Sequence, residues 1–313
     1  MDNQLHFVST DYTSALKKQG YHIVGRHSAV KTCLWLNKSL RKEGVCYKSI
    51  FYGIQSHRCI QMTPVLNCNQ SCRYCWRPIE IPVPEITELD SPSEIADWVI
   101  KEQLRLLTGY GGSKTTDMQK LKEAQNPKHV AISLIGEPTL YPYLPELINE
   151  FHKRHKTTFV VTNGTNPEML KKINPTQLYM SLNAPDRETY IKTCNPMQEY
   201  WNKITESLKI LQDTKTRTAI RVTLVKGLNM FNTIGYANLI KIANPDFVEV
   251  KAYMHLGYSR KRLSRDAMPL HSEVYDFAEN IANALDYKIA CDVEISRVVL
   301  LTKNGTIQRL CYS

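Results

Sequence analysis

From residue 59 onward the chain alternates short β-rich apolar runs with amphipathic helical stretches, and no other feature restricts its fold so strongly. The apolar runs cover residues 60–65, 129–135, 158–161, 178–182, 219–225 and 247–253, with helical stretches at 91–107, 144–152, 168–173, 201–211 and 233–242 between them. Consecutive strands joined through a helix pair in parallel, because a parallel neighbour is reached only by a crossover. Six such units predict an α/β fold, and an open or partial (β/α)6 barrel suits them at least as well as a doubly wound sheet. A helix over 272–285 and one strand-like stretch over 293–301 close the chain. The expected division is an extension at 1–60, a barrel at 61–285, and a strand and tail at 286–313.

Polar residues follow the ends of several predicted strands: Asn67 and Cys68, Gly136 and Glu137, Asn163 and Gly164, and Asn183. Barrels carry their chemistry at the carboxyl ends of the strands, so these residues predict one common mouth.

Six of the nine cysteines form two sets of three. Cys33, Cys46 and Cys59 stand at even intervals of thirteen, while Cys68, Cys72 and Cys75 are packed as CNQSCRYC. A [4Fe-4S] cubane normally takes four cysteines, so each triad would leave one iron open to a non-protein ligand. Structural zinc wants four protein ligands, and neither triad has a local fourth. The first twenty residues contain no apolar h-region, and no run approaches the roughly 18 apolar residues of a membrane span. These features predict a cytoplasmic protein with no membrane partner, where cysteines are thiols or metal ligands rather than disulfides. Cys194, Cys291 and Cys311 are assigned to structure.

The net charge is +10, from 40 Lys and Arg against 30 Asp and Glu. Such an excess favours a polyanionic partner such as nucleic acid. The sharpest local cluster is Tyr258 to Arg265, where Arg260, Lys261, Arg262 and Arg265 are candidate RNA contacts and a solvated loop is the alternative. A second run, at 152–156, is assigned to a helix end, where cations offset the macrodipole.

The spacing Cys68-x3-Cys72-x2-Cys75 directly after the first strand resembles the signature of the radical S-adenosylmethionine (SAM) enzymes. That resemblance implies a partial α/β barrel with a [4Fe-4S] cluster at its mouth, SAM chelating the open iron, and cleavage of SAM to a 5'-deoxyadenosyl radical. It also implies cofactor contacts. Glu137, in Gly136-Glu137-Pro138, falls where the SAM amino group is accepted, and Tyr74 at a position usually aromatic and near the adenine. Asn163, Ser181 and Asn183 fall where ribose and carboxylate contacts are usual.

The first triad, with the strings CYKSIFYGIQSHRCIQMTP and VEVKAYMHLGYSR, resembles the archaeal form of the wybutosine-synthesising radical SAM enzymes, the tRNA 4-demethylwyosine synthases. The resemblance implies that Cys33, Cys46 and Cys59, in the N-terminal extension, hold a second [4Fe-4S] cluster whose open iron presents pyruvate. It implies condensation of pyruvate with N1-methylguanosine beside the anticodon of phenylalanine tRNA. The adenosyl radical takes hydrogen from the N1-methyl group, and the carbon radical attacks the pyruvate carbonyl. Loss of the carboxylate carbon and closure onto the exocyclic amine then complete a third ring. Lys48 matches the lysine proposed to form a Schiff base with the substrate carbonyl, a surface or RNA-contacting lysine being the alternative. Eukaryotic relatives carry a flavodoxin-like domain that this chain has no room for, so a separate electron donor, ferredoxin or flavodoxin, is expected. Two other readings stay open on sequence: a radical SAM enzyme acting on a peptide or small molecule, and a zinc protein that binds RNA.

Overall fold

The structure, a computed structural model, describes residues 11–310; Cys311 lies outside the described residues. Its strands are β1 (His22–Val24), β2 (Ser28–Val30), β3 (Cys59–Thr63), β4 (His129–Ile132), β5 (Thr157–Thr162), β6 (Gln177–Ser181), β7 (Arg217–Leu224), β8 (Phe247–Ala252), β9 (Lys288–Val293) and β10 (Val298–Thr302). They form one sheet in the order β1-β2-β3-β4-β5-β6-β7-β8-β10-β9. Strands β3 to β8 are parallel and strictly sequential. A doubly wound sheet reverses its strand order at a switch point, so this order selects the partial barrel.

Both flanks of the expected division need correction. The boundary at residue 60 falls inside β3, and the hairpin β1-β2 extends the sheet antiparallel to β3. The stretch 293–301 is not one strand. A turn at Glu294–Ser296 and a left-handed Arg297 (φ 45°) reverse the chain, and β10 inserts between β8 and β9. Extension, barrel and tail therefore share one sheet. The stretch 168–173 is helical only over Pro167–Leu170, and the helix Arg187–Cys194 was not predicted. That helix buries Thr189, Tyr190, Thr193 and Cys194, a stripe too polar to read as an apolar face. The basic run at 152–156 does mark a helix end: Leu144–Lys153 stops there.

The pleat sorts the side chains onto two faces. Ile60, Met62, Val130, Ile132, Val160, Met180, Val222 and Val250 pack outward into the main core beneath the crossover helices. Phe159, Tyr179, Ala219, Phe247 and Leu300 point to the concave side, where Tyr47, Phe51 and Tyr52 of the helix Tyr47–Tyr52 cover them. Phe51 and Tyr52 are fully buried, each stabilising the plug by about 2 kcal/mol of apolar transfer. Gly53 ends this helix at φ 78°, the left-handed C-cap that glycine accepts most readily. Among the described residues no helix is long and apolar enough to cross a membrane.

Candidate active site

At the mouth, the loop after β3 carries Cys68, Cys72 and Cys75 and is tied down from three sides. Ser71 N and Arg73 N donate to the carbonyls of Cys194 (3.1 Å) and Thr193 (3.0 Å). Arg77 donates to Gln70 O at 2.7 Å and to Cys75 Sγ at 3.4 Å. Arg262 reaches across from the segment after β8 to the carbonyls of Arg73 (3.0 Å) and Cys75, and to Glu80 Oε1 (2.6 Å). Burial pushes the Cys68 thiol up to about 12, with Arg77 opposing. Contact with Cys194, then burial, raises Cys72. Three thiols held in a half-buried loop suit a cationic metal core, which binds cysteine as the thiolate. Among the described residues no three Cys, His, Asp or Glu side chains converge as one ion requires. A cubane offers separate irons to separate sulfurs and needs no such convergence.

The Gly136-Glu137-Pro138 turn packs against this loop. Gly136 has φ 69°, and a Cβ there would lie 2.1 Å from Val65 O, while Glu137 N donates to Asn67 O at 2.8 Å. Glu137 is 2% exposed. Its carboxylate accepts from Thr139 N (3.2 Å), Thr139 Oγ1 (2.7 Å), Thr162 Oγ1 (2.6 Å) and Asn163 N (2.8 Å). Burial raises its pKa and these donors pull it back. Its first duty is thus to brace the ends of β4 and β5. Gly136→Ala is expected to destabilise the protein by about 2 kcal/mol or more, since it combines a left-handed φ with a backbone clash. Gly112→Ala, in open space, should stay within about 0.5 kcal/mol by denaturant titration.

A small cleft beside the cysteine loop is lined by Gln70, Asn163, Ser181, Asn183, Tyr190 and Cys194. The structure therefore brings Asn163, Ser181 and Asn183 together. Tyr74 lies elsewhere, packed with Val225, Tyr253 and Ala267.

The first triad gathers at the other end of β3. Cys33 caps the helix Leu34–Leu40, its Sγ accepting from Leu36 N at 3.3 Å, Cys46 caps the helix Tyr47–Tyr52, and Cys59 opens β3. Burial pushes Cys46 up to about 11, with Cys33 adding and Lys48 opposing. Burial also raises Cys59, with Cys33 adding, Lys48 opposing and Cys46 adding again. Since Cys68 follows the far end of β3, a strand rising about 3.3 Å per residue separates the triads by roughly 13 Å or more.

Lys48 lies on the concave side, its Nζ 4.6 Å from the Tyr179 ring centre and 5.6 Å from that of Phe159. Burial, then Arg221, lowers its pKa, and Glu249 and Cys46 oppose them. Arg221 Nε donates to Glu249 Oε2 at 3.0 Å, Tyr47 OH to the same oxygen at 3.1 Å, and Tyr52 OH to Oε1 at 2.8 Å. Lys251 Nζ stands 5.2 Å from the Tyr47 ring centre. Arg221, Glu249 and Lys251 were missed by the sequence reading. The available signal was charge at alternate positions of strands that otherwise read as buried.

The basic segment is split by the structure. Arg260, Lys261 and Arg265 are exposed, and Lys261 Nζ lies 4.4 Å from the Tyr258 ring centre. Arg262 is a correction: its guanidinium is engaged by the cysteine loop and is not free for a phosphate. His57 pairs with Glu123 at 2.7 Å and His255 with Leu263 O at 3.0 Å, both as local ties.

Residues 62–239 match the radical SAM superfamily, and residues 242–303 match the family described as wyosine base formation. The chain is 50% identical over 302 residues to the S-adenosyl-L-methionine-dependent tRNA 4-demethylwyosine synthase of Pyrococcus horikoshii, covering 92% of this chain and 87% of that protein. It is 46% identical over 294 residues to the Methanocaldococcus jannaschii synthase, covering 91% and 94%. The structure of TYW1 with a lysine-pyruvate adduct bound superposes with a TM-score of 0.88 at 42% identity, over 97% of this chain and 99% of that one. Membership of the radical SAM superfamily carries with it a [4Fe-4S] cluster and SAM. With half of its residues identical to an archaeal synthase along nearly its whole length, the chain belongs to the S-adenosyl-L-methionine-dependent tRNA 4-demethylwyosine synthase family.

Proposed function

We propose that this chain makes 4-demethylwyosine in tRNA, condensing N1-methylguanosine beside the anticodon of phenylalanine tRNA with pyruvate. The observation that carries this reading is Lys48, set beside the first triad inside the barrel of a chain this similar to the synthases. Bound at the two triads, [4Fe-4S] clusters supply, with SAM, the radical that takes hydrogen from the N1-methyl carbon and a Lewis acid for the pyruvate carbonyl.

The chain's own residues do the rest. Burial, then Arg221, lowers the Lys48 pKa and so favours the neutral amine that attacks the keto carbon, in line with the lysine-pyruvate adduct of the TYW1 structure. Asn163, Ser181 and Asn183 line the cleft for the polar parts of SAM. Tyr74 borders the cysteine loop, and Glu137 fixes the backbone of Asn163 with one Oε2 lone pair left for the SAM ammonium. Arg260, Lys261 and Arg265 take tRNA phosphates, and a separate ferredoxin or flavodoxin in the cytoplasm reduces the clusters.

The test is to incubate the reconstituted, reduced enzyme with SAM, pyruvate and N1-methylguanosine-containing tRNA. A tricyclic base found by mass is expected; its absence with a competent reductant rejects the reading. Reversing the charge of Arg260, Lys261 and Arg265 is expected to weaken tRNA binding and flatten its salt slope by about 1 per lost phosphate contact. Unchanged binding would return the segment to a solvated loop.

A further inference from the structure

Strand β8 lies between β7 and β10 in the interior of the sheet, yet it places two charges, Glu249 and Lys251, on its concave face. Glu249 already has partners: Arg221, Tyr47 and Tyr52 all donate to it. Arg221 is correspondingly engaged, its Nη2 also reaching Tyr47 OH at 3.1 Å. Lys251 has no hydrogen-bond or ion-pair partner among the described residues; its nearest recorded neighbour is the Tyr47 ring, 5.2 Å from Nζ to ring centre.

The concave face thus carries Lys48, Arg221 and Lys251 near Glu249, whose carboxylate is already committed to Arg221 and the two tyrosines. Lys251, half-buried beside the Tyr47 ring, has no anionic partner among the described residues, and a partly desolvated ammonium gains from a ligand that supplies one. Burial, then Arg221, lowers the Lys251 pKa to about 8, with Glu249 opposing. Tyr47 immediately precedes Lys48 in the chain, and with Lys251 Nζ 5.2 Å from the Tyr47 ring centre and Lys48 Nζ 4.6 Å from that of Tyr179, the two lysines flank the same aromatic cluster on the concave side.

We propose that Lys251 is the carboxylate anchor for the α-keto acid held on Lys48, and so sets the preference for a keto acid over a neutral carbonyl compound. The inference rests on the imine role of Lys48. In that step Lys48 Nζ forms a double bond to the keto carbon and the keto oxygen leaves as water, so the carboxylate is retained for Lys251 to grip. Arg221 is already committed to Glu249 and Tyr47, whereas Lys251 has no such partner among the described residues.

Borohydride reduction of the imine on the cluster-loaded enzyme, read by the mass of the Lys48 peptide, needs neither SAM nor turnover. Lys251→Met is expected to raise the pyruvate concentration for half-trapping about tenfold or more, as loss of a charge-assisted hydrogen bond should. Methyl pyruvate, which lacks the anion, should shift less than about twofold, and Lys251→Arg should recover most of the pyruvate response. An adduct that forms on Lys48 with an unchanged pyruvate curve overturns the role of Lys251. No adduct in the unmodified enzyme overturns the imine reading first, and the anchor with it. Weaker tRNA binding by Lys251→Met with normal trapping would assign the lysine to the RNA backbone instead. Should Lys251→Met fail to fold, the unmodified enzyme decides. Corrected for reactivity with a free lysine amine, it must trap pyruvate at about tenfold lower concentration than methyl pyruvate, and equal values overturn the anchor.

Discussion

Replacing Cys46 with alanine is expected to leave reductive cleavage of SAM in place and to abolish the tricyclic base, whereas Cys72→Ala abolishes both. The two thiols belong to separate structural units. Cys72 sits in the mouth loop that Arg77, Arg262 and the 193–194 carbonyls hold in shape. Cys46 caps a short helix on the concave side, its backbone N–H held by Ser56 Oγ at 2.9 Å, a tie that a side-chain truncation keeps. Losing one of three thiolates should empty one cluster site and not the other, so iron content should fall by about four per chain in each variant. The rates should then separate by about a thousandfold or more, since a missing metal removes the chemistry itself rather than tuning it. The readouts are 5'-deoxyadenosine release, product mass, and iron and sulfide per chain. Equal loss of SAM cleavage in both variants would contradict the division of labour between the triads.

The legible parts of this fold were those written in local periodicity. The parallel strands β3 to β8 announce themselves because each is a short apolar run followed by a helical stretch, and the mouth because polar residues follow each strand. The segments before residue 59 were opaque for the opposite reason. The hairpin β1-β2 has three residues per strand, and the helices Leu34–Leu40 and Tyr47–Tyr52 are barely two turns long. At such lengths tertiary packing decides the outcome, and propensity does not. Among candidate site residues, the mouth cysteines are picked out by spacing and strand register, the first triad largely by resemblance. Arg262 was misread because a cation in a basic run looks the same whether it meets solvent or a carbonyl cage. Arg221, Glu249 and Lys251 needed the concave face to be known before their charges became informative.

That concave face also carries the largest stability effect expected in the molecule. Glu249 is fully buried and accepts from Arg221, Tyr47 and Tyr52, while Arg221 is only 14% exposed. Glu249→Ala removes the acceptor for all three and leaves a guanidinium with no anionic partner, a loss of about 3–5 kcal/mol. Against a typical total of about 5–15 kcal/mol, this is a large share of the stability, to be read as a lower urea midpoint. Glu249→Gln keeps an acceptor for the tyrosines and should cost less. Removing Arg221 as well, in Glu249→Gln with Arg221→Met, should recover part of the loss, with a coupling of about 0.5–3 kcal/mol. Burial alone would raise the Glu249 pKa, but Arg221 and Lys48 outweigh it and hold the carboxyl below its ordinary range. A depressed folded pKa stabilises the fold above the unfolded value of about 4.3 and loses that contribution as pH falls through the folded value. The gap between the native protein and Glu249→Gln in urea titrations should therefore be constant near neutrality and close in acid. A gap that persists below the folded pKa would mean that shape, and not charge, is what Glu249 contributes.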